Sequence, residues 1–364
     1  MRRVLRFIFL KPVLWAATRF SSKPDKARIF TALTKLSTHI QEEPGKKGLV
    51  IPFEEHAGKF IIFSDQHKGA RNGADDFKSA EQNYLEALRY YSDNDFWFIN
   101  LGDSEELWEN NIRKVKKRNK LTFDAEKKFL EHNQYVKVFG NHDLYWDTSP
   151  LAGWHLKDIY GEKIRIYEGV VLKTLAADRE LTIFLTHGHQ GDAQSDGNWF
   201  SKFFVAYIWA PLQALLRINP NTPAYDAEKK TLHNNIMYDW IAEQKSMLLI
   251  TGHTHQPVFT SLTHLERLYK QLQIAEHQKD EANIKEVKAE ILKREKEFTA
   301  VAVDYMNMRP SYFNTGCCCF SDGDITGIEI ADGCIRLIKW SSAKGKPERE
   351  LLEKISLEEL MLLL

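Results

Sequence analysis

Val136-Lys137-Val138-Phe139-Gly140-Asn141-His142-Asp143 is the stretch that decides the fold. A run of β-branched and aromatic residues stops at a glycine, and three polar side chains follow at once. Such a run reads as a buried strand, and Gly140 lets the backbone turn at its end without a Cβ penalty. Beyond the turn, Asn141 offers an amide oxygen to a hard cation, His142 a proton, and Asp143 an acceptor that orients His142. Four other strand ends carry partners of the same kind, which makes the pattern specific.

Upstream, Phe60-Ile61-Ile62-Phe63 is a buried-strand run ending in Ser64-Asp65-Gln66-His67. An aspartate and a histidine two apart, just past a strand, can converge on one ion. The next strand, near 96–99, runs into Gly102-Asp103-Ser104-Glu105-Glu106. Downstream, the strand at 181–185 feeds Thr186-His187-Gly188-His189, and the one at 247–250 ends in Thr251-Gly252-His253-Thr254-His255. Helical spacing covers 74–91, about 105–118 and about 122–133, and two further strands fall near 164–167 and 170–174. Tyr312 to Gly316 and two strands, about 324–330 and 334–340, joined by an Asp332-Gly333 turn, close the core. The expected organisation is one domain over 59–340. Residues 1–58 form a basic amphipathic segment and a linker with one helix, and 341–364 form a helical tail.

Two segments interrupt that domain. Residues 197–243 are helical and unusually apolar, with Trp199, Phe200, Phe203, Phe204, Tyr207, Ile208 and Trp209 in close succession. They form either a lid over a substrate with a bulky apolar part or a subdomain packed on itself. Pro211 interrupts the run, and both flanking motifs must reach one site, which argues against a membrane crossing. Residues 262–298 are highly charged with sparse apolar positions, the pattern of a helical hairpin or arm with a solvated face.

At 364 residues, 43% of them hydrophobic, the chain can bury a large core in one or two domains. Fifty basic residues balance fifty acidic ones, so global charge gives no reason to invoke nucleic acid. The cysteines, at 317, 318, 319 and 334, lack zinc-ribbon spacing and read as reduced core residues of a cytoplasmic protein. In the first 20 residues Arg2, Arg3, Arg6, Lys11 and Arg19 stand among large apolar side chains, and Lys11-Pro12 splits the run. It is too short to span a bilayer. It either lies on an anionic membrane surface, as a peripheral contact, or packs on its own domain.

Imidazole, carboxylate and amide oxygen together suit borderline-to-hard divalent metals. Thiolate-loving ions are disfavoured, because no cysteine belongs to the motif set. Two ions about 3.5–4 Å apart can share a bridging carboxylate and a hydroxide, whose parent water has its pKa pulled toward ~7. Such a hydroxide can attack an electrophilic centre, and the ions neutralise the developing charge. Taken singly, Asp65 reads as a helix cap, His187 or His253 as a hydrogen-bonded core histidine, and Asp103 as turn chemistry. Seven candidates in order do not. His189 either touches substrate phosphate or faces solvent. Lys68 and Arg71, on the loop after the first motif, either meet substrate phosphate or lie on the surface.

Asp-x-His, Gly-Asp-x-x-Glu, Gly-Asn-His-Asp, His-Gly-His and Gly-His-x-His, in this order, resemble the calcineurin-like metallophosphoesterases over roughly 59–256 and 314–339. The resemblance implies an α/β fold, a four-layer α/β/β/α sandwich with two divalent metal ions at the sheet edges. Manganese is the first expectation for those ions, with iron, zinc, cobalt or nickel as alternatives. It implies that Asp65, His67 and His255 hold the first metal, that Asn141, His187 and His253 hold the second, and that Asp103 bridges both. His142 then contacts the phosphoryl oxygen or protonates the leaving group, oriented by Asp143. Each ligand imidazole needs an acceptor for its other N–H, and Glu106 is a candidate.

Ser104-Glu105-Glu106-Leu107-Trp108 and Asp143 depart from the phosphoprotein phosphatases, which carry Val-Asp-Arg-Gly and Gly-Asn-His-Glu at these places. A looser likeness is to the UDP-2,3-diacylglucosamine hydrolases, through the Gly-His-Thr-His-x-Pro end and an apolar helical insertion before it. That branch commonly has arginine where this chain has His142, and it lacks the charged arm. The expected function is hydrolysis of a phosphoester or pyrophosphate bond in a phosphorylated small-molecule or lipid-linked substrate. A general nucleotide phosphodiesterase is the alternative enzyme. A non-catalytic scaffold using the charged arm is disfavoured, because the ligand set is complete.

Overall fold

The computed structural model describes residues 24–71, 75–108, 110–191, 227–294, 308–342 and 345–364. In chain order the elements begin with α1 (Lys26–Glu42), β1 (Gly48–Pro52), β2 (Phe60–Phe63), α2 (Glu81–Asp93), β3 (Trp97–Leu101), α3 (Ile112–Arg118), α4 (Lys120–Glu131) and β4 (Tyr135–Val138). There follow α5 (Tyr145–Thr148), α6 (Ala152–Tyr160), β5 (Ile166–Tyr167), β6 (Gly169–Ala176), β7 (Arg179–Thr186), α7 (Ala227–Ala242), β8 (Met247–Thr251), β9 (Val258–Phe259) and β10 (Leu262–Thr263). The chain closes with α8 (His264–Gln278), α9 (Glu281–Arg294), β11 (Tyr312–Asn314), β12 (Ile325–Ala331), β13 (Cys334–Ser341), β14 (Glu348–Ser356) and α10 (Leu357–Leu363).

These strands build two seven-stranded sheets, ordered β1-β6-β7-β8-β11-β9-β10 and β14-β13-β12-β2-β3-β4-β5. The faces they turn to each other are apolar. Ile62, Ile99, Val138 and Ile328 of one sheet meet Leu172, Ile183, Leu185, Leu248 and Ile250 of the other in one buried core. Outside the second sheet, Tyr84, Leu88 and Tyr91 of α2 and Phe129 of α4 pack on Ile61, Phe63 and Phe98. Outside the first, Ile29, Leu33 and Ile40 of α1 and Met237, Trp240 and Ile241 of α7 pack on Val171, Phe184 and Leu249. The order of layers is therefore α/β/β/α. Because β2 to β4 and β7 to β8 carry apolar side chains toward both a helix layer and the other sheet, they read as continuous hydrophobic runs.

The structure corrects the expected boundaries. Residues 48–52, read as linker, form β1 and pair in parallel with β6, from Gly48 opposite Gly169 to Pro52 opposite Lys173. Residues 341–364 are not a helical tail. β14 pairs antiparallel with β13 along nearly its whole length, and only α10 is helical. β14 was hidden because its face is largely exposed, so charged residues interrupt the apolar alternation. The charged arm is a hairpin of α8 and α9 held by Leu265, Leu268, Val287 and Ile291. Lys279, in the left-handed region at φ 57°, ends its first helix, and a reciprocal Thr263–Glu266 capping box starts it. Of the apolar insertion, Trp199 to Trp209 lie outside the described residues. Its last helix, α7, is a core layer.

Candidate metal centre

The motifs converge because parallel strands place their carboxyl ends along one edge of the sheets. β2, β3 and β4 run parallel in register, Ile62 beside Ile99 and Ile99 beside Val136, so the loops after them are neighbours. Across the sandwich, β7 and β8 are parallel too, and they deliver His187 and His253. The loops are tight. Asp65, His67, Asp103, His253 and His255 all have φ between 49° and 69°, a left-handed backbone that non-glycine residues adopt only when the surroundings impose it. Gly140 approaches so closely that a Cβ there would lie 2.2 Å from Asp103 Oδ1.

Asp65, His67, Asp103, Asn141, His142, His187 and His253 are all buried, none more than 7% exposed. His255 Nε2 lies 3.1 Å from Asp65 Oδ1 and 3.1 Å from His67 Nε2. His187 Nε2 lies 3.1 Å from Asp103 Oδ2, and His67 Nε2 lies 3.8 Å from the same oxygen. Asp103, His187 and His253 bring donor atoms within 4.8 Å of one another, and so do His67, Asp103 and His142. Asp103 thus faces both halves of the set.

Three atoms of this set are buried without an aligned hydrogen bond: Asn141 Oδ1, which has no partner, and Asp65 Oδ1 and His187 Nε2, whose contacts at 3.1 Å are ion-pair contacts with His255 Nε2 and Asp103 Oδ2. Buried groups of such polarity are nearly always satisfied, and a cation on their lone pairs satisfies all three. The donor chemistry, nitrogen and oxygen with two carboxylates, fits divalent metals.

The electrostatics agree. Burial disfavours ionisation of Asp65, but His255 and His187 outweigh it and hold the carboxyl well below its usual range. Burial likewise opposes the charge on Asp103, and His187 and His142 overcome it. Burial disfavours the His187 cation, yet Asp103 and Asp65 lift it to about 9; for His255, Asp65 does the same, also to about 9. A metal ion held by those imidazoles would have to displace their protons. His253 differs: burial, with His233 and His187 nearby, pushes it well down, so its lone pair is available.

The orienting partners differ from expectation. Asp143 does not hold His142. Its Oδ1 accepts from Gly140 N–H at 2.6 Å and its Oδ2 from Ser104 N–H at 2.9 Å, so the carboxylate staples the β4 loop to the β3 loop. Adjacency in sequence does not let a side chain reach its neighbour's ring when the turn points the two apart. Glu106 takes the role instead: its Oε2 lies 2.8 Å from His142 Nδ1 and 3.0 Å from His67 Nδ1. Burial opposes the Glu106 charge, but His142 and His67 bring its carboxyl down to about 2. The Trp108 ring stacks on His142 at 4.2 Å between centroids and 18° between planes, a contact that no motif announced.

The Arg71 guanidinium pairs with Glu81 and lies over the Phe77 ring, on the α2 side of the loop. Lys68, read as a surface or phosphate-facing lysine, is fully buried and bonds Glu126 at 2.5 Å and Glu105 at 3.2 Å. Lys137 joins Glu105 at 2.9 Å, while the Tyr84, Tyr135 and Tyr160 hydroxyls reach Glu126. This buried ionic lattice lies under the Asp103 loop and was not legible beforehand. His189 is buried, its ring 5.4 Å from that of His187. His233, on α7, lies outside the strand-end motifs. Its Nε2 lies 2.8 Å from Gly188 O, and burial lowers it to about 4, so it stays neutral and donates there. The cysteines are free and buried, as read, but Cys319 Sγ stands 3.9 Å from His255 Nδ1 and groups with His67 and His255. A thiol therefore does border the site. Residues far apart in sequence brought it there.

Strand-end imidazoles and carboxylates on an α/β/β/α sandwich are the arrangement of a metallophosphoesterase. The chain belongs to the calcineurin-like phosphoesterase family, which it matches over residues 58–257, more than half its length. Among solved structures it is similar to vacuolar protein sorting 29 from Cryptosporidium parvum, at 11% identity, covering 83% of this chain and 99% of that one, with a TM-score of 0.33. It is also similar to a single mutant of Vps29 from Entamoeba histolytica, at 14% identity, covering 81% and 98%, with a TM-score of 0.33. A third similar structure is a dimetal phosphatase from Danio rerio, at 8% identity, covering 83% and 99%, with a TM-score of 0.37. No curated protein matches the chain. Among the described residues, no helix is long and apolar enough to cross a membrane.

Proposed function

We propose that this phosphoesterase works with two divalent metal ions, the first on Asp65, His67 and His255 and the second on Asn141, His187 and His253, with Asp103 between them. The observation that carries the reading is the set of three buried donor atoms without an aligned hydrogen bond, Asp65 Oδ1, Asn141 Oδ1 and His187 Nε2, one on each of three different strand-end loops. When bound, the ions supply a nucleophilic water at neutral pH and neutralise charge on the phosphoryl oxygens.

The chain's own residues do the rest. Glu106 holds the His142 Nδ1 proton and Trp108 fixes the ring plane, which leaves His142 Nε2 for a phosphoryl or leaving-group oxygen. Asp143 keeps the two loops that carry Asp103 and His142 at a fixed distance. The substrate class we favour is a phosphoester or pyrophosphate with a bulky apolar part, supported by the apolar sequence between 199 and 216.

Elemental analysis of purified protein, together with hydrolysis of a diester, a monoester and a UDP-linked lipid, tests both levels. Two equivalents of metal and a preference for the lipid are expected. Metal-replete protein that cleaves none of the three overturns the catalytic reading. A preference for small nucleotide diesters overturns the apolar substrate.

A further inference from the structure

Three of the proposed ligand imidazoles turn Nε2 toward the Asp65 and Asp103 carboxylates and hold Nδ1 against an acceptor, and the acceptors differ. His67 Nδ1 faces the Glu106 carboxylate at 3.0 Å, and His187 Nδ1 faces the Leu101 carbonyl at 2.9 Å. His255 Nδ1 faces sulfur, with Cys319 Sγ at 3.9 Å and the Cys317 thiol also interacting with the ring, while its Nε2 lies 3.1 Å from Asp65 Oδ1. We propose that Cys319 is the positioning residue of the first metal position: its sulfur accepts the His255 Nδ1–H and so presents the Nε2 lone pair to the metal. The inference rests on the two-metal reading above and adds to it a residue outside the strand-end motifs.

The surroundings favour this role. Cys319 is 9% exposed, so little water competes for the Nδ1 proton. Its segment is tied to the site and to the sheet. The Cys318 N–H donates to the Asp65 carbonyl at 3.1 Å, and the Cys317 carbonyl accepts from Thr326 N–H at 3.0 Å. His255 has a left-handed backbone at φ 55° and a side chain 16% exposed, against 8% for His67 and 0% for His187, so its ring is the least enclosed of the three. Sulfur is a weak and distant acceptor compared with the oxygens behind His67 and His187. The first metal position is therefore held less firmly than it would be with a carboxylate behind His255.

The test separates an acceptor from a space-filler. Cys319→Val keeps bulk and removes the acceptor. Cys319→Asp keeps an acceptor and sacrifices the apolar character. Cys318→Val, at a thiol directed toward the Thr326 carbonyl, is the control. Manganese binding is followed by titration against a competing chelator, with circular dichroism confirming the fold. We expect Cys319→Val to weaken one of two sites by about 10–100-fold, Cys319→Asp to match or exceed the wild type, and the control to bind as wild type. The opposite order, with Val retaining both ions and Asp losing one, makes Cys319 packing only and overturns the proposal. Two measurements need no variant. In zinc-loaded wild-type protein, imidazole nitrogen shifts must show His255 protonated at Nδ1, and the other tautomer overturns the proposal. In cobalt-loaded wild-type protein, a thiolate-to-metal charge-transfer band assigns Cys319 as a ligand and also overturns it. Wild-type protein that holds a single ion overturns the two-metal reading itself, a result distinct from these.

Discussion

Glu106 is the residue at which the metal centre and the proposed proton donor are joined, and Glu106→Gln probes that joint. A single oxygen, Oε2, lies within 3.0 Å of Nδ1 on both His67 and His142. A hydrogen bond to a charged group contributes about 1.5–3 kcal/mol, and 1.4 kcal/mol is tenfold in a binding constant. Glutamine has no charge and only one acceptor atom, so it cannot serve both rings with charge-assisted bonds. Loss on the His67 side should weaken the first metal about 10–100-fold, the range seen when a ligand's outer partner is removed. Loss on the His142 side should lower kcat by about 10²–10⁴-fold if His142 acts as a general acid, and less for a substrate with a very good leaving group. The assay pairs a metal titration with kcat measured at saturating metal across leaving groups of graded basicity. A Glu106→Gln protein with wild-type metal affinity and a wild-type leaving-group profile would refute the shared role. A fall in metal affinity alone would confine Glu106 to His67.

Asp143→Asn should act on the scaffold, because only one of the two backbone N–H groups keeps an acceptor. A loss of about 1–3 kcal/mol in chemical denaturation is expected, with the leaving-group profile unchanged. A stable variant with an altered profile would return Asp143 to the role of orienting His142. Lys68→Met should destabilise by about 3–5 kcal/mol, since it leaves Glu126 and part of Glu105 as buried charge, and an unchanged Tm would show that the lattice is dispensable. Metal affinity should rise with pH. His187 and His255 are each held up to about 9 and belong to different metal positions, so binding below that pH displaces one of these protons at each position. Apparent affinity at each position should climb by about one log unit per pH unit from these groups and flatten near 9. The metal-free fold runs the other way: stabilisation from these raised groups is complete below about 6.5 and lost as pH rises through 9, so its Tm should fall over that window. A pH-independent metal affinity would show that the imidazoles are already neutral.

The sequence by itself determined the strands that carry the site. Runs such as Phe60–Phe63 and residues 247–250 are apolar throughout because both their faces are buried, and each ends abruptly in polar residues. That local signal needs no partner to be read, and it marks the strand-end candidates, whose sharing between two metals is what the family resemblance implies. The β14 edge strand, β1 and the lattice around Lys68 were not legible, for one physical reason. Their burial or pairing is granted by elements distant in sequence: β13 for β14, β6 for β1, and Glu126 with Glu105 for Lys68. The same holds for the orienting contacts. Asp143 beside His142 suggested a pair by adjacency, yet the turn after Gly140 sends the Asp143 carboxylate back to backbone N–H groups and turns the imidazole to Glu106. Cys319 likewise read as core packing until β11 and the loop behind it placed its sulfur next to a proposed ligand 64 residues away. Which side chains bear chemistry was written along the chain; which of them hold one another in place depended on how the two sheets close.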